Sequence, residues 1–429
     1  MLDIKLVRSQ PDIVRHALER RGDSSASLDE FLAVEEERRR LVTGVEELRA
    51  RRNAVSEEVA QAKRGMKGLD DDGKAAAEAG LQERFGEVRR IGEELKAQET
   101  DLAAIEARLK GMLLQIPNIP LDDVPPGGEE DSVVVRTVGE PRSFDFEPKD
   151  HLDLAGPLGL IDMERAARAS GSRFAYLLGD LVMLEFALVR YGLDIVTAKG
   201  YLPMLPPVLV REEAMYGTGF FPADEQQVYR TTDGDCLVGT AEVPLAAFHM
   251  DEFVETESLP LRYTGYSTCF RREAGAAGKD TRGIFRVHQF DKLEMFSFCL
   301  PEQSPDEHEL IRETEEEILR GLALPYQVVN IAAGDLGAPA AKKYDCEAWM
   351  PGQQRYREVT SCSNCTDYQA RRLNCRYRTD KGPRFVHTLN GTAVTWRFLI
   401  AIMENYQRED GTVEVPAALV PLMGKELIG

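Results

Sequence analysis

The stretch CFRREAGAAGKDTRGIFRVHQFDKLEMF, residues 269–296, decides the fold, because it predicts two strands joined by a loop of small and charged residues. Side chains two positions apart share one face of a strand. The spacing therefore places Arg271 and Glu273 on one strand face. It places Arg286, Phe290 and Glu294 together on a face of the second strand. The loop between them, AGAAGKDTRG, is small enough to hinge over a ligand.

These residue types suit a nucleotide bound beside an amino acid. Arginine makes planar, multidentate contacts to phosphate. The ring of Phe290 offers a face on which a base can stack, and the carboxylate of Glu294 can bind an ammonium group. We therefore predict a site for a nucleoside triphosphate and an amino acid. On spacing alone, a surface hairpin of charge pairs is an equal alternative.

Length and composition predict an ordinary folded protein of more than one domain. The chain has 429 residues, of which 43% are hydrophobic and 29% charged. It has no apolar run of about 18 residues and no secretory signal at its start, so we expect no membrane association. Seven cysteines, an odd number, indicate a reducing cytoplasm.

The charge is strongly negative but unevenly spread. A formal net charge of −20 argues against nonspecific nucleic-acid binding, which depends on a basic surface. Residues 1–115, however, contain 21 basic and 24 acidic side chains, so most of the negative charge lies later in the chain. A local basic stripe in this first part stays open.

Apolar residues spaced three and four apart predict two long helices within residues 28–114, in a coiled-coil pattern. The pattern comprises Phe31, Val34, Leu41, Val45, Leu48, Val55, Val59 and Ala62, then Val88, Ile91, Leu95, Leu102, Ile105, Leu109 and Met112. Between them RGMKGLDDDG (64–73) predicts a turn. Two helices joined by a short turn must run antiparallel, which gives an arm of roughly 55 Å.

Charged clusters on this arm have two interpretations. EEERRR (35–40) is typical of a solvated helix face with ion pairs three or four residues apart. The alternative is a stripe that contacts phosphates. The candidates for such a stripe are Arg49, Arg51, Arg52, Lys63, Arg64 and Lys67.

The rest of the chain predicts a linker and a mixed domain. Residues 116–143 are rich in Pro and Gly and end in a strand-like segment, whereas 144–429 alternate between helix and strand patterns. Residues 179–200 predict a helix. In the following YLPMLPPVLV, the prolines permit only an edge strand or a strand start. We therefore expect a helical hairpin over 1–115, a linker over 116–143, and a domain of mixed helices and strands over 144–429.

Six motifs carry a family resemblance: TAEVPL, CFRREAG, RVHQFDKLEMF, YREVTSCSN, YQARR and HTLNGT, in this order after a long helical hairpin. Over nearly its whole length the chain resembles bacterial seryl-tRNA synthetases, which are class II aminoacyl-tRNA synthetases. The resemblance implies an α+β fold, with a coiled-coil arm and an antiparallel sheet flanked by helices. It implies a cytoplasmic homodimer that uses ATP, Mg²⁺ and L-serine to charge tRNA(Ser), and also tRNA(Sec).

The resemblance also implies which residues form the site. Serine binding would involve Thr240, Ala241, Glu242, Arg271, Glu294, Asn390 and Thr392. ATP binding would involve Arg271, Arg272, Glu273, Arg286, Val287, Phe290, Glu358, Val359, Thr360, Ser361 and Arg397. Glu358 and Ser361 would also bind the metal.

Individual roles follow from the same resemblance. Arg271 would bind the α-phosphate and the serine carboxylate, Glu273 would face the adenine amino group, and Phe290 would stack on the purine. Glu294 would pair with the serine ammonium, and Arg397 with the γ-phosphate. Thr240 and Glu242 are expected to lie on one strand face and to recognise serine. Residues 179–210, with Pro206, resemble the dimer-forming motif.

Three other functions stay open at this point. A ligase that loads an amino acid onto a carrier protein would not need residues 28–114. A specialised paralogue in antibiotic biosynthesis or self-resistance is suggested by the altered stretch NGTAVTWR, which ends at Arg397. An RNA-binding or scaffolding protein without catalysis is disfavoured by the intact Arg271, Glu273, Glu294 and Glu358.

Overall fold

The computed structural model describes residues 1–67, 70–275, 280 and 282–429, and within 71–76 it describes only the backbone. Parts of the predicted turn 64–73 and of the predicted loop 274–283 therefore lie outside the described residues. The chain forms two compact units: residues 4–15 with 24–116, and residues 1–3 and 16–23 with 117–429. No helix in the described part is long and apolar enough to cross a membrane.

The N-terminal part of the chain is helical. Its helices are α1 (Ile4–Ser9), α2 (Pro11–Arg21), α3 (Ala26–Gly65) and α4 (Asp71–Gln115). At 1.5 Å per residue, the 40 residues of α3 make a helix about 60 Å long. Predicted apolar positions are buried on both long helices, among them Phe31 and Val45 on α3 and Ile91 and Leu95 on α4.

Ion pairs between α3 and α4 show that the two helices run antiparallel, as predicted. Glu30 pairs with Arg108 at 2.7 Å, Arg49 with Glu99 at 2.7 Å, and Arg51 with Glu87 at 2.6 Å. As the residue number increases along α3, the residue number of the partner on α4 decreases. Because such exposed pairs contribute little stability, about 0–1 kcal/mol each, the buried apolar seam is the main stabilising contact of the pair.

The second unit contains the remaining helices and the sheets. The helices are α5 (His151–Leu158), α6 (Met163–Ser170), α7 (Asp180–Ala198), α8 (Glu212–Thr218), α9 (Glu242–Ala247), α10 (Ser304–Gly321), α11 (Tyr368–Leu373), α12 (Trp396–Asn405) and α13 (Val420–Met423). The strands are β1 (Val133–Val138), β2 (Ile161–Asp162), β3 (Tyr176–Leu177), β4 (Leu202–Met204), β5 (Leu209–Val210), β6 (Cys236–Leu237), β7 (Phe253–Val254), β8 (Leu261–Phe270), β9 (Gln289–Cys299), β10 (Tyr326–Asn330), β11 (Lys342–Met350), β12 (Arg355–Thr366), β13 (Arg376–Thr379), β14 (Gly382–Phe385), β15 (His387–Thr395), β16 (Val413–Glu414) and β17 (Leu427–Ile428).

In the described chain, the central sheet has eight strands in the order β1-β10-β11-β12-β15-β9-β8-β4. Its pairs are antiparallel except for β4 with β8, which is parallel. The predicted α+β class is therefore confirmed. As the prolines required, β4 is an edge strand that ends before Pro206. The strand expected at the end of the predicted linker is β1, the opposite edge.

Helix α7 occupies the predicted helical segment and shows why that segment is apolar on more than one side. Asp180 lies in its first turn, where a negative charge is favoured, and Gly200 beyond its end has a φ of +87°. Leu184 and Leu188 are fully buried in the main core. On the opposite side of the helix, Phe186 is 56% exposed.

Strand β9 separates two environments by its alternation. Odd positions such as Leu293 and Met295 are buried in the main core, on the side of α7, α10 and α12. Even positions face the other way. Phe296 and Phe298 lie in a second apolar cluster, so the even positions before them in the strand, from Phe290 onward, are the ones free to face a ligand.

Two strand predictions are wrong. Because β8 ends at Phe270 and β9 begins at Gln289, residues 271–273 and Arg286 lie outside the strands, and Glu273 has a φ of +49°, which breaks the expected alternation. Thr240 and Glu242 do not share a strand face either. The backbone N–H of Glu242, the first residue of α9, donates to the Thr240 hydroxyl at 3.1 Å. Such local side-chain bonds compete with strand pairing.

Candidate active site

Two adjoining cavities open on the ligand-facing side of β9. The first, of about 190 Å³, is called the arginine cavity and is lined by Arg271, Arg286 and Arg397 with Phe290 and Glu358. The second, of about 270 Å³, is called the carboxylate cavity and is lined by Asp224, Thr240, Glu242, Glu294 and Asn390. Among the described residues, four line both cavities: Arg271, Lys292, Ser361 and Thr392.

Arg271 lies where the two cavities meet. Its Nε donates to the carbonyl oxygen of Gly239 at 3.1 Å, and the carbon at the centre of its guanidinium is 5.2 Å from the centroid of the Phe290 ring. Phe290 is the partner of Cys269 across the β8–β9 pair, so the end of that hairpin positions both groups. A cation and an aromatic face are therefore adjacent, as expected, although Arg271 itself is outside the strand.

Glu273 and Arg286 are paired with each other. The carboxylate of Glu273 accepts from Arg286 Nε at 2.5 Å, and its side chain is largely buried. Both residues line the arginine cavity, and Val287, also buried, lines it beside them. The pair joins the two chain segments that continue β8 and precede β9, which explains how they converge without strand pairing.

Glu358 and Ser361 share one face of β12 although they are three residues apart. Glu347 pairs with Glu358, and the next β11 position, Cys346, pairs with Thr360, so Val359 is an extra residue in β12. Such a β-bulge places two residues opposite one and shifts the alternation by one position. The sequence pattern predicted neither the bulge nor its consequence.

The carboxylate of Glu358 is ionised and paired with Arg397. Arg397 Nη1 donates to Glu358 Oε2 at 2.9 Å. Burial would raise the pKa of Glu358, but the positive charges of Arg397 and Lys343 outweigh it and hold this pKa well below its usual range. The carboxylate of Glu358 and the Ser361 hydroxyl are hard oxygen donors of the kind that Mg²⁺ prefers, usually together with several ligands from phosphate and water.

The other two candidates on this strand can offer only main-chain atoms. Val359 is buried in the main core. The Thr360 hydroxyl donates to the buried carboxyl of Glu315 on α10 at 2.9 Å, on the helix side of the sheet. Because of this bond, the Thr360 side chain faces away from the arginine cavity, although both residues contribute to its wall.

Glu294 is buried within the carboxylate cavity and has a cation and a hydroxyl beside it. Lys292 Nζ lies 2.5 Å from its Oε2. Thr392, its partner across the β15–β9 pair, has its hydroxyl 3.5 Å from the same oxygen. The even face of β9 thus presents Phe290, Lys292 and Glu294 in succession, with the ring toward one cavity and the carboxylate toward the other.

Glu242 is the second carboxyl of this cavity. Its Oε1 accepts from Gln369 Nε2 at 2.8 Å and from Asn390 Nδ2 at 3.0 Å. Burial, and next the negative charge of Glu294, raise the pKa of Glu242 to about 7. The cavity therefore combines two carboxyl groups with an amide and a hydroxyl, which suits a small ligand with an ammonium group and polar atoms.

Two predicted site residues lie outside both cavities in the described structure. The exposed side chain of Arg272 lines a separate shallow pocket with Glu225 and Tyr229, because the turn after β8 directs it away from Arg271. Ala241 is fully buried in the second apolar cluster, so only its main chain could serve a ligand. All other predicted cavity residues line one or both cavities.

Sequence reasoning missed three charged residues of the site. Lys292 lies between Phe290 and Glu294 on the even face of β9, so the alternation that identified those residues also contained this one. Lys343 on β11 and Asp224 after α8 line the carboxylate cavity. They come from distant parts of the chain, and nothing in their local sequence connects them with β9.

The candidate residues of the arm have mixed surroundings. Arg49 and Arg51 are ion-paired with α4, and Lys63 Nζ lies 4.8 Å from the centroid of the Phe85 ring. Arg64 and Lys67 are exposed, and Arg52 is half-buried. In the cluster EEERRR, Arg40 pairs with Glu36 on the surface, as expected of a solvated helix face, whereas the carboxylate of Glu35 is buried and pairs with Arg38.

Two family models match the chain. Residues 1–120 match the seryl-tRNA synthetase N-terminal domain. Residues 228–406 match the class II tRNA synthetase core domain that is shared by the Gly, His, Pro, Ser and Thr enzymes. The second match contains all the predicted cavity residues, from Thr240 to Arg397.

Known proteins resemble the chain over its full length. The serine–tRNA ligase of Nocardia farcinica is 47% identical over 430 residues, which cover 100% of this chain and 99% of that protein. The crystal structure of seryl-tRNA synthetase from Pyrococcus horikoshii complexed with ATP superimposes with a TM-score of 0.92 at 41% identity, covering 100% and 99% of the two chains. The cytoplasmic enzyme of Naegleria fowleri in complex with AMP gives 0.89 at 35% identity, with 100% and 98% covered.

Proposed function

The chain belongs to the seryl-tRNA synthetase family, and we propose that its two cavities divide the serine–tRNA ligase reaction between them. The arginine cavity binds ATP and the carboxylate cavity binds L-serine. This assignment rests on the position of Arg271, which lines both cavities. On one side of it lies the arginine cavity, with its further arginines, and on the other side lies the carboxylate cavity, with the two buried carboxyl groups of Glu242 and Glu294.

In the first step the serine carboxylate attacks the α-phosphorus of ATP, and the bond to pyrophosphate breaks. No protein nucleophile is required, because positioning and charge stabilisation account for catalysis in such reactions. We assign Arg271 to the α-phosphate and the serine carboxylate, and Arg397 to the γ-phosphate. Phe290 stacks on the purine, with Glu273 toward its amino group and Arg286 beside it.

On the serine side, Glu294 and the ionised form of Glu242 bind the ammonium group. Thr240, Asn390 and Thr392 provide the polar atoms that recognise the hydroxyl. A site built to satisfy a hydroxyl rejects an analogue without it by about 10⁴-fold or more, because its buried partners would be left unpaired. The burial of Glu242, Glu294 and Asn390 supports this kind of selectivity.

Glu358 and Ser361 are the residues that would bind Mg²⁺. Their oxygen atoms fit this cation, and the bulge at Val359 turns both toward the arginine cavity. When bound, Mg²⁺ neutralises phosphate charge and favours departure of pyrophosphate. The ion pair with Arg397 keeps Glu358 ionised, so its carboxylate is available as a ligand.

In the second step a ribose hydroxyl at the 3′ end of tRNA attacks the seryl-adenylate, and AMP leaves. We propose that the arm formed by α3 and α4 binds tRNA(Ser), and also tRNA(Sec), by shape and backbone contacts. The residues proposed for these contacts are Arg49, Arg51, Arg52, Lys63, Arg64 and Lys67. The match of residues 1–120 to a seryl-tRNA synthetase domain supports this role and disfavours a carrier-protein ligase.

Exposed apolar side chains support a homodimer. Met183 and Phe186 on α7 are 51% and 56% exposed, and Leu202 and Leu205, in and just after β4, are 60% and 85% exposed. A monomer rarely leaves such a surface in water, and the helix and edge strand correspond to the predicted dimer motif. A cytoplasmic location is also proposed, since all seven cysteines are unpaired thiols.

Serine-dependent exchange between ATP and labelled pyrophosphate tests the proposal. We expect exchange with serine and about 10⁴-fold less with alanine, because alanine lacks the hydroxyl and would leave its buried partners unpaired. Threonine and cysteine serve as further controls. The absence of exchange with serine would refute the assignment of both cavities.

The role of the arm needs a separate measurement. Replacing Arg52, Arg64 and Lys67 by serine should raise KM for tRNA in the charging reaction at least about fivefold, because phosphate contacts are lost, and should leave pyrophosphate exchange unchanged. Arg40→Ser with Arg89→Ser is the matched control, since both arginines pair with a glutamate on their own helix. An equal effect of both sets would contradict a localised tRNA contact.

A further inference from the structure

The loop 336–340, with the sequence LGAPA, forms one wall of the carboxylate cavity. Gly337, Pro339 and Ala340 contribute directly to the lining. Leu336 and Ala340 are buried in a small apolar cluster with Val124, Val329 and Ile331, which anchors the two ends of the loop. Between them, Gly337, Ala338 and Pro339 have no polar side chain, so hydrogen bonds to the main chain contribute to the position of this wall.

Two residues from elsewhere in the chain bind four of its five carbonyl oxygens. Arg21 donates from Nη1 to Leu336 O at 3.0 Å and from Nη2 to Ala340 O at 2.6 Å. Asn118 donates from its backbone N–H to Ala338 O at 2.8 Å and from Nδ2 to Pro339 O at 2.9 Å. The fifth carbonyl, that of Gly337, accepts from Ala340 N within the loop.

Arg21 and Asn118 form one connected unit behind this wall. Arg21 Nε donates to the carbonyl oxygen of Asn118 at 3.0 Å. Asn118 Nδ2 also lies 2.9 Å from the carbonyl oxygen of Cys365, another residue of the cavity lining. Both residues are buried. A buried guanidinium is costly unless its donors are bonded, so this one is tied closely to the geometry of the carbonyls.

We propose that Arg21 and Asn118 are positioning residues for amino-acid selection, because they set how far the 336–340 wall stands from Glu294 and Asn390. The proposal rests on the carboxylate cavity being the serine site. When these bonds are weakened, the loop moves outward, serine is held less closely, and the extra methyl group of threonine finds room. ATP binding in the arginine cavity is not affected.

The test uses the full chain with Arg21→Lys, which keeps the charge but cannot reach three carbonyls at once. Its matched control is Arg20→Lys. Arg20 also donates to three carbonyl oxygens, those of Pro120, Leu121 and Val124, at 2.6–3.1 Å. Among the described residues, the segment 120–124 lines neither cavity. The carbonyls bound by Arg21 thus belong to the cavity wall itself, whereas those bound by Arg20 belong to a segment behind that wall, which packs on Leu336 and Ala340 through Val124.

We expect Arg21→Lys to raise KM for serine about tenfold, the effect of losing a charge-assisted hydrogen bond, and to leave KM for ATP within about twofold. The preference for serine over threonine, measured as the ratio of kcat/KM values in pyrophosphate exchange, should fall at least about fivefold. Arg20→Lys should change neither quantity. A loss of fold stability alone would not separate the two KM values in this way.

Equal KM for serine and equal threonine discrimination in the two variants would overturn the proposal. If Arg21→Lys does not fold, the same two quantities, KM for serine and discrimination against threonine, are measured for Asn118→Ala. This variant removes the side-chain bonds to Pro339 and Cys365 and keeps the backbone bond to Ala338. Failure of both variants to fold would also overturn it, by showing a role in stability only. Wild-type protein without serine exchange would instead refute the proposed function.

Discussion

The arginine cavity and the carboxylate cavity share four residues, yet they move the pKa of a glutamate in opposite directions. In the first, Arg397, together with Lys343 from the wall of the second cavity, overcomes burial and holds the pKa of Glu358 well below its usual range. In the second, burial and the charge of Glu294 raise the pKa of Glu242 to about 7. The neighbours of a carboxyl group, and not its residue type, determine its charge.

This contrast shows what each cavity can bind. A surplus of cations leaves an ionised carboxylate and attracts a polyphosphate. In the carboxylate cavity Glu294 already pairs with Lys292, so a further cation such as the serine ammonium gains most from the second carboxyl group, that of Glu242. Arg271 has to serve both ligands.

Replacing Arg271 should have the largest effect, since it removes the group common to both cavities. We expect Arg271→Ala to lower kcat/KM for serine-dependent pyrophosphate exchange at least about 10²-fold, which corresponds to roughly 2.7 kcal/mol. Arg230→Ala is the control, because Arg230 pairs with Glu212 and Glu225 away from both cavities. A near-normal rate for Arg271→Ala would remove the basis of the comparison.

Replacing Phe290 should affect the arginine cavity alone. Stacking of a base on an aromatic ring contributes about 1–3 kcal/mol, so Phe290→Leu should raise KM for ATP by about tenfold or more and leave KM for serine unchanged. Phe290→Tyr keeps the ring and should restore the wild-type value. If both substrates were affected alike, the two cavities would not be separate binding sites.

Glu358→Gln tests the metal assignment within the same cavity. Loss of the carboxylate should raise the Mg²⁺ concentration for half-maximal exchange about tenfold. This factor is comparable with the loss of metal affinity when a residue that orients a metal ligand is replaced. Glu347→Gln is a suitable comparison, since Glu347 is the β11 partner of Glu358 but does not line the arginine cavity. An unchanged Mg²⁺ requirement in Glu358→Gln would contradict the assignment.

The smallest predicted effect is a pH dependence on the carboxylate side. Because the pKa of Glu242 is raised to about 7, its carboxyl is mostly neutral at pH 6 and mostly ionised at pH 8. Only the ionised form attracts the serine ammonium, so KM for serine should fall a few-fold as the pH rises through this range. In Glu242→Gln the dependence should disappear, and its persistence there would assign the titration to another group.

Much of the architecture could be predicted because it depends on local patterns. The apolar spacing predicted α3 and α4, and the prolines predicted that β4 lies at an edge. Alternation along β9 brought Phe290 and Glu294 to one face and also contained Lys292, whose charge the interpretation overlooked. Period and turn chemistry are properties of adjacent residues, so the sequence reveals them directly.

The rest of the site depends on contacts between distant residues. Arg271 and Glu273 lie beyond the end of β8, where the chain turns and strand alternation no longer applies. The Thr240 hydroxyl accepts from the backbone N–H of Glu242, the first residue of α9, and the local sequence does not distinguish such a threonine from one in a strand. Arg21 and Asn118 reach the wall of the carboxylate cavity through main-chain carbonyls, which carry no sequence signature at all.

The extra residue at Val359 also affects how this strand can evolve. Losing one residue between Glu358 and Ser361 would remove the bulge and restore regular alternation, so both side chains would still face the arginine cavity. The loss would instead be felt on the opposite side of the sheet, where Val359 and Thr360 both lie and where the Thr360 hydroxyl binds the buried carboxyl of Glu315 on α10. Across related genes, loss of one residue from this interval should therefore keep the glutamate and the serine on the cavity face.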